Sequence, residues 1–157
     1  MPNLKLGDVV PNFDADTTEG KINFHEWIGD SWAVLFSHPA DYTPVCTTEL
    51  GRVQKLSGEF QKRGIKLTAL SCDSVESHKG MDDFAIENHD SYIPNLILIG
   101  WIEDIKAYNK LDAFSYPIIA DPDRSIANTY GMMDPDEMDS KGLPLTCRAV
   151  FVIGPDK

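Results

Sequence analysis

Apolar and polar positions along this 157-residue chain follow two rhythms. The first is a solid apolar run, Trp32-Ala33-Val34-Leu35-Phe36, which reads as a strand buried on both faces. The second follows it: Cys46, Leu50, Val53, Leu56 and Phe60 recur at three- and four-residue spacing and predict an amphipathic helix over 43–63. Gly64 supplies a helix stop, and Ile65 to Ser71 reads as a second central strand. Strand, helix, strand in this order predicts a parallel, right-handed crossover in a buried sheet, hence an α/β domain.

The flanking segments are less regular. Val9 to Phe13 and Ile22 to Phe24 predict short strands on either side of the turn residues Thr17-Thr18-Glu19-Gly20. Trp101 to Lys110 predicts a helix with Trp101, Ile105 and Tyr108 along one face. Tyr116 to Ala120 reads as a strand, Asp121-Pro122-Asp123 as a turn, and Ser125 to Tyr130 as a short helix closed by Gly131. Asp134 to Gly142 reads as an acidic loop, and Thr146 to Ile153 as the last strand, with Arg148 near its start. The stretch from about 80 to 100 joins polar residues to the apolar run Leu96 to Ile99. It reads as an insertion that leaves the sheet as a surface excursion.

Composition narrows the function classes. A hydrophobic content of 42% and a charged content of 25% suit one globular domain spanning 1–157. The formal charge of -11, with no basic stripe, argues against nucleic-acid binding. No apolar run has membrane-spanning length, and the N-terminus lacks the apolar core of a signal peptide. Three cysteines without a C-x-x-C pair argue against a disulfide framework or a zinc site. A reducing compartment, the cytoplasm, is the expected location. No metal or organic cofactor has support.

The candidate chemistry sits where the first strand hands over to the helix. Thr43 suits the N-cap, Pro44 the first helical position, and Cys46 then falls at the third. Backbone N–H groups there have no helical partner and the helix dipole is positive, so a thiolate is favoured.

Pro39, Thr43 and Cys46 reproduce the peroxiredoxin pattern of Pro, three residues, Thr, two residues, Cys. The longer run from Phe36 to Leu50 resembles the one-cysteine, peroxiredoxin 6-like branch. Gly131 to Pro135 and Arg148 to Val152 are similar to it as well. The resemblance implies a thioredoxin-like fold, a central mixed sheet flanked by helices. It also implies reduction of hydrogen peroxide and organic hydroperoxides through a Cys46 sulfenic acid. Within it, Thr43 orients the peroxide, Arg148 stands beside the sulfur, and Pro39 shields the site. Glu49 can hold a guanidinium, and His38 lies close to the sulfur with a less defined role.

Cys72 reads as buried packing, and Cys147 should point to the opposite sheet face from Arg148. Neither has the context of a resolving cysteine, so an external thiol, glutathione or thioredoxin, is the expected reductant. Trp32 is the expected fluorescence probe. Two other activities bear on the same chain. Gly29-Asp30-Ser31-Trp32-Ala33 resembles a lipase-like segment, with His25 and Asp156 as companions. It ends in Ala33 rather than Gly and precedes a strand, so a plain turn is favoured. A non-enzymatic holdase or redox-relay role would need oligomerisation and exposed apolar surface. The resemblance further implies a C-terminal domain beyond Lys157 and a homodimer. On that reading the chain is a truncated member whose last strand is a bare edge and whose turnover is reduced.

Overall fold

The computed structural model describes residues 4–39, 44–72, 96–139 and 142–157. In chain order the elements are β1 (Asp14–Thr17), β2 (Gly20–Asn23), α1 (Phe24–Ile28), β3 (Trp32–Ser37), α2 (Pro44–Gln61) and β4 (Ile65–Ser71). They continue with α3 (Leu96–Asn109), β5 (Ile118–Ala120), α4 (Ser125–Thr129), β6 (Met133–Met138), β7 (Pro144–Thr146) and β8 (Ala149–Ile153). Six strands form one mixed sheet in the order β2-β1-β5-β4-β3-β8, and β6 pairs with β7 in a separate ribbon. β3, β4 and β5 run parallel, whereas β8 and β1 pair antiparallel with β3 and β5 respectively. This is the thioredoxin-like arrangement, a mixed sheet flanked by helices.

The sheet separates two apolar clusters. On one face Phe24 and Ile28 of α1, and Ile126 and Ala127 of α4, pack with Leu35, Leu70, Ile119 and Ile153. On the other, Cys46 and Leu50 of α2 and Trp101 and Ile105 of α3 pack with Val34, Leu67, Ala69 and Ile118. Covering both faces is why β3 and β4 read as continuous apolar runs rather than as alternating ones. β3 to β4 pairing runs rung for rung from Trp32 opposite Ile65 to Ser37 opposite Leu70, which places α2 above the sheet as the crossover.

Several segments differ from the sequence reading. Val9 to Phe13 is not a strand; the first strand lies one step later, at Asp14–Thr17. Pro11 has no N–H for a ladder, and Phe13 instead stacks on Phe24 with ring centroids 4.5 Å apart. Phe24 belongs to α1, an unforeseen helix whose N-cap, Asn23, accepts from the Glu26 amide. The helix expected from Trp101 starts at Leu96, so the run Leu96 to Ile99 is helical and continuous with it; residues 73–95, which hold the rest of the proposed 80–100 insertion, lie outside the described residues. Tyr108 is exposed rather than on the buried face of α3.

The acidic stretch from Asp134 contributes most of β6, an exposed strand paired with β7. Its carboxylate side chains give no apolar alternation to read; beyond Met133, which packs on the core, the strand rests on its pairing with β7. The expected last strand, Thr146 to Ile153, is two strands in two different sheets, broken at Cys147 and Arg148.

Helices α2 and α3 approach closely where Gly51 faces Asn109. A Cβ at position 51 would lie 2.1 Å from Asn109 Cγ. That amide is not free to swing, because its Nδ2 donates to Thr47 O at 3.0 Å and to Ile105 O at 2.9 Å. Gly51→Ala is therefore expected to destabilise the fold by about 1–3 kcal/mol, read as a lower denaturant midpoint with an unchanged slope.

Candidate active site

Cys46 occupies the third position of α2, as the Pro44 start implies, and its side chain is 0% exposed. Beneath it lie Val34, Leu67 and Ala69 of the sheet. Tyr116 closes the same cluster and donates its hydroxyl to Leu50 O at 2.9 Å. Burial holds the Tyr116 phenol far above its ordinary range, so it remains a donor at any physiological pH. Thr47, next to the cysteine, accepts from Trp101 Nε1 at 3.0 Å. The first turn of α2 is thus tied to α3 twice through Thr47, by an indole at its hydroxyl and by Asn109 at its carbonyl.

Arg148 arrives from the opposite end of the chain. Its Nη1 donates to Glu49 Oε2 at 2.5 Å, across 99 positions of sequence. Glu49 is three residues after Cys46, so the two share one side of the helix a single turn apart. The guanidinium is therefore tethered to the turn that carries the sulfur. The two side chains are 43% and 50% exposed, and an ion pair this wet contributes about 0–1 kcal/mol to folding. It places a positive charge beside the first turns of α2.

The remaining expected residues are placed as follows. Pro39 is half-buried at the exit of β3. Thr43 lies outside the described residues. His38 is buried; its ring packs against Trp101 with centroids 4.8 Å apart, and its carbonyl accepts from Thr146 Oγ1 at 2.7 Å. Cys72 is 3% exposed and its thiol donates to Asp121 Oδ2 at 3.7 Å. Cys147 packs against the α1 and α4 cluster, on the face away from Cys46. Trp32 is 50% exposed, whereas Trp101 is buried in the same cluster as Cys46 and is the better optical reporter.

Sequence reasoning missed Asp121, a buried carboxylate that accepts from the amides of Ile126 and Ala127 and organises the start of α4. Burial raises its affinity for a proton, while those two amides pull the other way. It belongs to the scaffold on the far face. The lipase-like segment does not assemble. Ser31 lies on a turn from helix α1 into strand β3, the reverse of a nucleophile elbow. His25 Nε2 bonds Val10 O at 2.9 Å, and no hydrogen bond joins Ser31 to His25 or Asp156 among the described residues. Among the described residues there is also no group of three or more His, Cys, Asp or Glu able to hold a metal, and no helix long and apolar enough to cross a membrane.

A buried cysteine at a strand-to-helix junction of a thioredoxin-like sheet, with an arginine from the break between the last two strands paired to the same helix, defines a class. The sequence matches the AhpC/TSA family over residues 6–157, and the chain belongs to that family. Within it, the chain is 52% identical over 160 residues to peroxiredoxin-6 of Gallus gallus and 52% identical over 161 residues to that of Homo sapiens. It is 48% identical over 157 residues to 1-Cys peroxiredoxin B of Oryza sativa subsp. indica. The one-cysteine branch implied by the motifs is thus the branch in which similar proteins are found.

All of this chain aligns in these pairs, but it spans only 62%, 63% and 62% of the three relatives. Among solved structures, a cysteine-to-serine mutant of peroxiredoxin 6 of Arenicola marina superposes with a TM-score of 0.79 at 53% identity. The match covers 98% of this chain and 61% of that one. A yeast mitochondrial 1-Cys peroxiredoxin, whose thiol resolving mechanism runs via glutathione/thioredoxin systems, gives a TM-score of 0.75 at 45% identity. There the match covers 98% of this chain and 64% of that one.

Because the Arg148–Glu49 pair is exposed, Glu49→Ala is expected to change the unfolding free energy by less than about 1 kcal/mol, measured by urea titration. A loss of several kcal/mol would show that the pair holds the fold together rather than aiming the arginine.

Proposed function

We propose that this chain is the catalytic domain of a thiol-dependent peroxidase with Cys46 as its nucleophile. The observation that carries this reading is the tether of Arg148 to Glu49, one helical turn from a cysteine in the first turn of α2. Fixed positive charge and the positive end of the helix dipole then act on the turn where negative charge develops.

The Cys46 thiolate attacks one peroxide oxygen in line with the O–O bond. A sulfur–oxygen bond forms as the oxygen–oxygen bond breaks, and the second oxygen leaves with a proton as water or an alcohol. Sulfur is oxidised by two electrons to the sulfenic acid, and the peroxide is reduced by two. Arg148 and the amides of the helix start stabilise the charge that spreads over the two oxygens. Thr43 orients the peroxide through its hydroxyl, and Pro39 limits water at the mouth of the site. His38 and Glu49 act as supports, one by packing on Trp101, the other by holding Arg148.

An external thiol then attacks the sulfenic sulfur, water leaves, and a second thiol releases the mixed disulfide as the Cys46 thiolate. The wall of sheet between Cys46 and Cys147 supports this external step. Glutathione or thioredoxin fits it, as does a reducing, cytoplasmic setting. A homodimer would bring a second chain to the exposed Val150 and Val152 of edge strand β8.

In a peroxide-consumption assay with excess thiol, Cys46→Ser is expected to abolish activity, while Cys72→Ser and Cys147→Ser retain it. Arg148→Ala is expected to slow the reaction of Cys46 with peroxide by about 10²–10³-fold. Loss of activity in the Cys147 variant alone would overturn the external-thiol scheme. A chain that leaves peroxide intact in every form would favour the holdase or relay role instead.

A further inference from the structure

Arg148 lies in the two-residue break between β7 and β8, where the chain leaves one sheet for the other. A residue outside a ladder has no regular partner to fix its backbone, yet this arginine has to be aimed. The neighbouring backbone shows how that is done. Ser37, the last residue of β3, donates its Oγ to Cys147 O at 2.7 Å and accepts from Ala149 N at 3.1 Å. One hydroxyl therefore grips the carbonyl before Arg148 and the amide after it. Ser37 also sits opposite Ala149 as the terminal rung of the β3–β8 pairing, so the grip extends the ladder by one residue.

Two further bonds complete the brace. Cys147 N donates to Met132 O at 2.8 Å, and Thr146 Oγ1 donates to His38 O at 2.7 Å. Ser37 and Thr146 are both buried. Hydroxyls in such a setting hold backbone groups firmly, because water has limited access to replace a lost partner. The same strand end leads directly through His38 and Pro39 towards the start of α2. The strand that delivers the chain to the cysteine helix thus also holds the arginine.

We infer that Ser37 is a positioning residue for Arg148: its hydroxyl fixes the backbone on either side of the arginine so that the guanidinium meets Glu49 and faces Cys46. This rests on the peroxidase reading for its kinetic consequence, but its structural content stands apart from it. Ser37 touches neither the sulfur nor the peroxide; it acts through Arg148.

A double-mutant cycle in the intact chain tests this, with the rate of Cys46 oxidation by hydrogen peroxide followed by Trp101 fluorescence in a single turnover. Ser37→Ala is expected to slow that rate about tenfold or more while the chain stays folded by circular dichroism. Ser37→Thr, which keeps the hydroxyl, is expected to restore most of it. In an Arg148→Ala background, Ser37→Ala is expected to change nothing further. A wild-type rate in Ser37→Ala, or a loss that multiplies with that of Arg148→Ala, would overturn the inference. Should Ser37→Ala not fold, Ser37→Val, which has the shape of Ser37→Thr without its hydroxyl, enters the same cycle under the same criteria. The side-chain NMR signal of Arg148 gives a second readout that does not depend on peroxide chemistry. It is expected to broaden or shift in Ser37→Ala and to stay in place in Ser37→Thr. An unchanged signal would overturn the inference even in a chain that reduces no peroxide, whereas a changed signal in such a chain would leave the inference standing and sink only the peroxidase reading.

Discussion

The burial of β3 between β4 and β8 is the constraint on which the rest depends. Past the exposed Trp32 its side chains are covered on both faces, its backbone is paired on both edges, and its C-terminal end leads towards α2. Because β4 lies parallel beside it, the helix between them has to cross over the sheet, and its first turn starts near the end of β3. Because β8 lies antiparallel on the other side, the chain entering β8 arrives at that same end. Cys46 and Arg148 are 102 positions apart along the chain, yet the pairing of one strand with two neighbours brings both to the same end of the sheet.

Stability and chemistry are carried there by different kinds of contact. The apolar cluster beneath Cys46, the buried bonds from Trp101 and Tyr116 and the part-buried one from Asn109 fix the helix start. The buried ones have little access to water, so they hold geometry at an energetic cost if broken. The Arg148–Glu49 pair is exposed and adds little to folding. On the peroxidase reading, what it contributes is direction: the arginine is paired to a residue one helical turn from Cys46. The buried hydroxyls of Ser37 and Thr146 connect these two regimes, giving the exposed arginine a rigid base.

Local patterns in the sequence revealed those parts of the fold that have local causes. The run Trp32 to Phe36, the three- and four-residue spacing from Cys46 to Phe60, and the stop at Gly64 all mark elements found at nearly those bounds. Where the cause is distant, the pattern was silent. β6 is an acidic exposed strand that exists because β7 pairs with it, and the break at Cys147 and Arg148 exists because two sheets claim the chain on either side. α1 was hidden by its length of five residues, although Asn23 and Glu26 carry a capping signal. At the site, the spacing of Pro39, Thr43 and Cys46 was visible as a motif. Ser37, Thr47, Trp101 and Asn109 were not, since each acts through a partner more than fifty positions away. An unremarkable serine before a histidine has no sequence signature for bracing an arginine.

The central claim is that one thiol of the three is the reacting group and that the fold, not an internal disulfide, determines its fate. The most direct measurement is mass spectrometry of the chain after one equivalent of hydrogen peroxide in the presence of a dimedone-type trap, with each cysteine peptide quantified. The account expects the trapped sulfenic acid at Cys46 alone, with Cys72 and Cys147 remaining as thiols. A Cys46–Cys147 disulfide, or trapping spread over all three cysteines, would contradict it.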